Sequence, residues 1–204
     1  MNTRHRRLAR RATAALAAML MVGLAGCSSD ALADQYREGS NKGYIGADGF
    51  QVVEIPADER TEPVVFSGVT DAGATLTSED VAGDVVVVNF WYAACGPCIV
   101  EAPRLEEAYQ SVADEDVTFV GINTYDQAST AQAFARDNGV SYPSMLAVDD
   151  TRLKLSFADA TTLSATPTTL VLDAEGRVAA RIVGELSEPS ILETLVRDAL
   201  AETA

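Results

Sequence analysis

One junction constrains this chain more than any other. The run DVVVVNFW, residues 84–91, leads within four residues into Cys95-Gly96-Pro97-Cys98. A continuous β-branched stretch is the pattern of a strand buried on both faces. Beyond the cysteines, Ile99, Ala102, Leu105, Tyr109 and Val112 fall three to four apart, which is the helical period. A buried strand therefore ends and a helix begins at the cysteine pair. Pro97 suits the first turn of that helix, whereas Pro103 lies inside it and is expected to kink it.

The flanking segments extend this unit. Upstream, PVVFSGVTDAGATL (63–76) reads as a hairpin turning at Asp71-Ala72-Gly73. Downstream come a buried strand at 117–123, a polar helix at 128–138 closed by Gly139, a short strand at 144–148 and a short helix at 151–157. The segments TTLVLD (168–173) and RVAARIVG (177–184) flank a turn signal. Pro189 then opens a last helix with Ile191, Leu192, Leu195, Val196, Ala199 and Leu200 on one stripe. The order is hairpin, βαβαβ, then ββα. It predicts an α/β fold with a mixed central sheet flanked by helices.

Three readings of Cys95 and Cys98 compete. As a clasp, the pair closes a four-residue ring and restrains the unfolded chain by only about 2 kcal/mol. As a metal site, two thiolates supply half of a tetrahedral shell, with no histidine or further cysteine nearby, so no metal is assigned. As a redox pair, the placement explains itself. Free N–H groups and the dipole at a helix start stabilise a thiolate on Cys95, and Cys98 stands one turn inside to resolve a mixed disulfide. Gly96 and Pro97 make the connection short and stiff, and Cys-x-x-Cys beside a βαβ pattern is the redox signature.

The N-terminus bears on the compartment. Residues 1–11 carry five arginines and no acid, and a 14-residue apolar run follows at 12–25. That length suits a signal-peptide core and falls short of the roughly 20 residues of a spanning helix. The run ends LAGC at 24–27, which resembles the lipobox of bacterial lipoproteins. The resemblance implies cleavage after residue 26 and a lipid on Cys27. The arginine pairs allow Tat as well as Sec export, but neither pair is followed by a convincing Tat pattern. Residues 27–49 are polar and glycine-rich and read as a flexible tether, leaving 50–204 as the folded domain. Some 20 tether residues reach roughly 25 Å as a coil and about 70 Å when extended.

Removing 26 of 204 residues leaves 178 and takes the formal net charge from −15 to −20, because five arginines and no acids are lost. The only histidine, His5, goes with them. So acidic a body repels phosphate backbones, which excludes nucleic acid as a partner. Without histidine it has neither a Cys/His zinc site nor a histidine base.

NFWYAACGPCIVEAP (89–103) resembles the active-site segment of thioredoxin-fold proteins, and in particular the TlpA/ResA-like lipoprotein branch of the redoxin superfamily. The hairpin, the strand–helix insertion at 117–139 and ATPTTLVLDAEGRV (165–178) extend the likeness over about residues 60–204. The resemblance implies a thioredoxin fold with an N-terminal β-hairpin and a central strand–helix insertion. It also implies dithiol–disulfide exchange at the extracytoplasmic face of the cell membrane. Cys95 matches the attacking cysteine and Cys98 the resolving one. Thr166-Pro167 matches the cis-proline loop that binds the substrate backbone. Glu101 matches an acidic residue three positions after the second cysteine, where a partly buried carboxyl relays a proton to Cys98. Asn89 stands where thioredoxins proper carry aspartate, which moves that duty toward Glu101. Trp91 matches an aromatic packed near the active-site loop. The sequence departs at Ala94, where many relatives have tryptophan, and the rim beside Cys95 is flatter for it.

The expectation is a lipid-anchored thiol–disulfide oxidoreductase that reduces disulfides of client proteins, including apocytochrome c cysteines. A membrane donor of the thiol–disulfide type recharges it. It has no cofactor beyond the Cys95–Cys98 disulfide. Run backwards, the same steps form disulfides. A thiol peroxidase is a weaker alternative. Peroxiredoxins share a Pro-x-x-x-Thr-x-x-Cys segment, and Val88 and Tyr92 stand at its proline and threonine positions. A copper- or haem-handling binding protein is the third class, limited by the absence of histidine from the mature chain.

Overall fold

The computed structural model describes residues 44–45, 51–161 and 165–202. Nine strands and four helices lie among them. The strands are β1 (Tyr44–Ile45), β2 (Gln51–Glu54), β3 (Ser67–Val69), β4 (Thr75–Thr77), β5 (Val85–Trp91), β6 (Val117–Asn123), β7 (Ser144–Leu146), β8 (Thr168–Leu172) and β9 (Val178–Val183). The helices are α1 (Gly96–Ser111), α2 (Ala128–Asn138), α3 (Thr151–Ser156) and α4 (Pro189–Ala201).

The main sheet runs in the order β1-β2-β9-β8-β5-β6-β7. β5 pairs in parallel with β6, and β6 with β7, while β8 and β9 run antiparallel, so the sheet is mixed as expected. Every residue of β5 is buried, as its unbroken β-branched run requires. The pleat then sorts them. Val85 and Val87 join a core with Leu105, Leu192 and Val196 of α1 and α4. Val86, Val88 and Phe90 face the other way, toward Phe66, Met145, Leu153 and Phe157. Period two therefore places Asn89 and Trp91 on the α1 side, which is what brings them to the cysteines.

Two features depart from the sequence reading. β1 falls within 27–49, the stretch expected to be tether, and pairs with β2, which in turn pairs with β9. The paired structure thus begins before residue 50, because β2 fills the edge of β9 and leaves an open edge of its own for β1. The second concerns the 63–76 hairpin, which forms a separate two-stranded sheet, β3-β4. It reaches the β7 edge through a bridge between Thr70 and Met145, and Asp71 exchanges N–H bonds with Ser144. That contact covers an otherwise open strand edge. Helix α1 continues through Pro103 from Gly96 to Ser111. Helix α2 ends at Gly139, whose φ of 74° lies in the left-handed region open to glycine.

Candidate active site: a cysteine pair backed by a buried carboxyl

The β5–α1 junction places the first cysteine. Cys95 is the N-cap residue of α1, with Gly96 and Pro97 in the first turn. The Cys98 backbone N–H donates to Cys95 Sγ at 3.2 Å. The two are joined as a disulfide with Cα atoms 5.2 Å apart. One of the orphan N–H groups of the helix start is thus aimed at the first sulfur, the arrangement that stabilises a thiolate there. In this disulfide state Cys95 is 3% exposed and Cys98 2%. The first cysteine is therefore more enclosed than a free attacking thiol needs to be.

Trp91 packs among the cysteines and Phe134, with its ring 4.3 Å from that of Phe134. Its Nε1–H donates to Ser144 Oγ at 3.2 Å. Gly121 makes room for this pair. A Cβ on Gly121 would meet Ser144 Oγ at 2.3 Å and Trp91 Nε1 at 2.7 Å. The segment after β6 braces the loop before Cys95. The Ala93 N–H donates to Asp126 Oδ2 at 2.6 Å, and the Thr124 N–H donates to the Trp91 carbonyl at 3.0 Å.

Behind Cys98 lies Glu101, one helical turn further on and 1% exposed. Asn89 Nδ2 donates to Glu101 Oε1 at 2.9 Å and to Thr169 Oγ1 at 3.0 Å. The Leu186 N–H donates to Glu101 Oε2 at 2.9 Å. Both donors are neutral. Burial pushes the Glu101 carboxyl up from 4.5 to about 7, against the lowering pull of the Leu186 and Asn89 bonds. Glu185 raises it further and Arg104 lowers it. Arg104 itself is turned to the Glu185 carboxylate and the Leu186 carbonyl. Burial, reinforced by the charge of Glu101, also pushes the Tyr142 phenol up. Asn89, Trp91, Cys98 and Tyr142 line one small internal gap together with Ala102, Leu105, Phe134 and Val140.

The Thr166–Pro167 bond is cis. The register of Phe90 opposite Thr168 sets Pro167 at the end of the sheet that carries Trp91 and the cysteine turn. Asn89, Trp91, Cys95, Gly96, Pro97, Cys98, Glu101, Thr166 and Pro167 thus gather at one end of the sheet. Glu101 is fully rather than partly buried. Thr169, the Leu186 N–H, Asp126, Phe134 and Tyr142 were not foreseen. They come from distant segments, and no spacing rule links them to the cysteines. Cys27 lies outside the described residues.

Residues 54–196 match the Redoxin family. The thiol:disulfide interchange protein HelX of Rhodobacter capsulatus is 28% identical over 163 residues, covering 75% of this chain and 87% of its own. The thiol-disulfide oxidoreductase ResA of Bacillus subtilis is 29% identical over 119 residues, 58% of this chain and 64% of ResA, so that match spans less than two thirds of the relative. Among solved structures, a thioredoxin-family thiol:disulfide interchange protein from Chlorobium tepidum superposes with a TM-score of 0.63 at 31% identity, covering 69% of this chain and 97% of its own. The chain belongs to the Redoxin family, as a thiol–disulfide oxidoreductase on a thioredoxin fold.

Proposed function

We propose that this oxidoreductase works at the outer face of the cytoplasmic membrane, held by lipid on Cys27, and reduces disulfides of client proteins. The Cys95 thiolate attacks one client sulfur, and the other client sulfur leaves as a thiolate and takes up a proton. Cys98, giving its proton to the Glu101 side, then attacks Cys95 Sγ of the mixed disulfide. The second client thiolate departs, and the protein is left with a Cys95–Cys98 disulfide. Two electrons have passed to the client, and a membrane thiol–disulfide donor returns them. The cysteine pair is the whole redox group, with no added cofactor. Thr166 and Pro167 present backbone to the client strand, and apocytochrome c cysteines are one client class.

The observation that carries this reading is the division of labour on α1. Cys95 Sγ receives a helix N-terminal N–H, and Glu101 waits in a dry site on the face of Cys98. A buried carboxyl behind Cys98 disfavours a second negative charge there, and a reduced pair that is little stabilised gives electrons more readily than it takes them.

A redox titration of the full-length chain carrying Cys27→Ser tests the direction, because only the pair then titrates. A midpoint near thioredoxin's, about −270 mV, is expected for a reductant. A midpoint near about −120 mV would reverse the direction and make the protein a disulfide former.

A further inference from the structure

The residue immediately before the first cysteine is Ala94, which is exposed and offers little surface of its own. The structure offers an aromatic from another strand instead. β5 and β6 are parallel with Trp91 opposite Asn123, so the segments leaving both strands emerge at the cysteine end of the sheet. Tyr92 follows Trp91 directly, and Tyr125 lies two residues past Asn123. Their rings meet edge to face, 5.1 Å apart and at 85°. Tyr125 is 62% exposed. Tyrosine is among the residues enriched at binding hot spots, and this one stands open beside a reactive group.

The placement is rigid. Asn123 Oδ1 accepts the N–H groups of Tyr125 and Asp126 at 3.1 and 2.7 Å. Asp126 Oδ2 accepts from Asn123 Nδ2 and from the Ala93 N–H at 2.9 and 2.6 Å. The Cys95 N–H in turn donates to the Tyr92 carbonyl at 3.1 Å. Tyr125 therefore rides on the same bonded frame as the attacking sulfur, and the adjacent Asp126 carboxylate is engaged by two donors. Ala94, Gly96 and Pro97, which complete the rim, are exposed and uncharged.

We infer that the Tyr92–Tyr125 pair supplies the aromatic surface that Ala94 does not, and selects client polypeptides with an apolar or aromatic residue beside the reacting cysteine. The inference rests on the oxidoreductase reading above. A client sulfur reaching the enclosed Cys95 brings its neighbouring side chain across this rim, where the open Tyr125 ring covers it.

The test compares two disulfide-linked peptides of equal net charge with the full-length protein. One has tryptophan or leucine beside its cysteine, and the other has serine. The wild type is expected to prefer the apolar-flanked peptide about tenfold in kcat/KM. Tyr125→Ala should erase that ratio, and Tyr125→Phe should keep it. A ratio unchanged in Tyr125→Ala, or equal losses for both peptides, would overturn the inference, since a merely structural role lowers both alike. A wild type with equal activity on both peptides overturns it while the redox reading stands. A wild type inert toward both peptides and toward small disulfides overturns both readings together.

Discussion

Glu101 and Asp173 are both carboxylates, both 1% exposed, and they do opposite things. Asp173 sits in the β8–β9 turn, where Arg60 Nη1 and Arg177 Nε donate to Oδ2, each at 2.9 Å. Its other oxygen accepts the N–H groups of Glu175 and Arg177. Arg60 also binds Glu202, so Arg60 ties the segment before β3, the β8–β9 turn and the end of α4 into a knot. Glu101 receives only an amide and a backbone N–H. Burial is the same, but the partners differ. Two guanidiniums make a charge structural, whereas neutral donors leave a proton poised to move near neutrality.

The contrast can be broken from either side. Asp173→Ala removes the carboxylate shared by Arg60 and Arg177 while Arg60 keeps Glu202, and it should cost about 1–3 kcal/mol of stability, read from urea unfolding. Disulfide reduction per folded molecule should be unchanged, since the knot lies away from the cysteines. If activity fell with stability intact, the knot would belong to the site.

Glu101→Gln attacks the other side. The folded carboxyl titrates near 7 against 4.5 when unfolded, so the folded protein binds that proton more tightly. Its contribution is fully present below pH 4.5 and is lost as pH rises through 7, a loss on the order of 3 kcal/mol. Glu101→Gln should flatten that dependence, being less stable than wild type at pH 5 and gaining on it by pH 8. It should also slow resolution by Cys98 about a hundredfold near pH 7, measured as mixed-disulfide lifetime. An unchanged pH profile of both quantities would remove Glu101 from proton handling.

Asn89→Ala sharpens the comparison by taking one neutral donor away. It should cost about 1–3 kcal/mol and move the Glu101 transition upward, because the carboxylate loses a bond that favours its charge. Arg104→Ala has the smallest expected effect, at most about 1 kcal/mol, since Arg104 and Glu185 are each about one third exposed. It too should move the transition upward, slightly, as seen in the pH dependence of Cys98 alkylation. A downward move in either variant would contradict the assigned causes.

Several parts of this were legible in advance. The all-buried β5, the helix start at the cysteines, the hairpin at residues 168–183 and the Gly139 stop follow from local pattern, and the structure reproduces them. Glu101 could be set on the Cys98 face because three residues is nearly one helical turn. Its full burial could not, since its partners are Asn89, itself held by Thr169, and a backbone N–H 85 residues away. β1 and β2 were missed for a similar reason. Strands of four and two residues are too short to show a periodicity; β2 exists because β9 has an edge to fill, and β1 because β2 then has one.

The sequence by itself determined the chemistry: two cysteines at a strand–helix junction, stiffened by Gly96 and Pro97, with no histidine beyond His5 to compete. Such features are local, and backbone geometry over a few residues decides them. The tertiary structure alone decided which buried acid keeps a movable proton and which is locked to arginine. It also decided that an open tyrosine from the segment after β6 stands beside the cysteine loop. Those outcomes depend on which distant groups the sheet register brings within hydrogen-bond and van der Waals range.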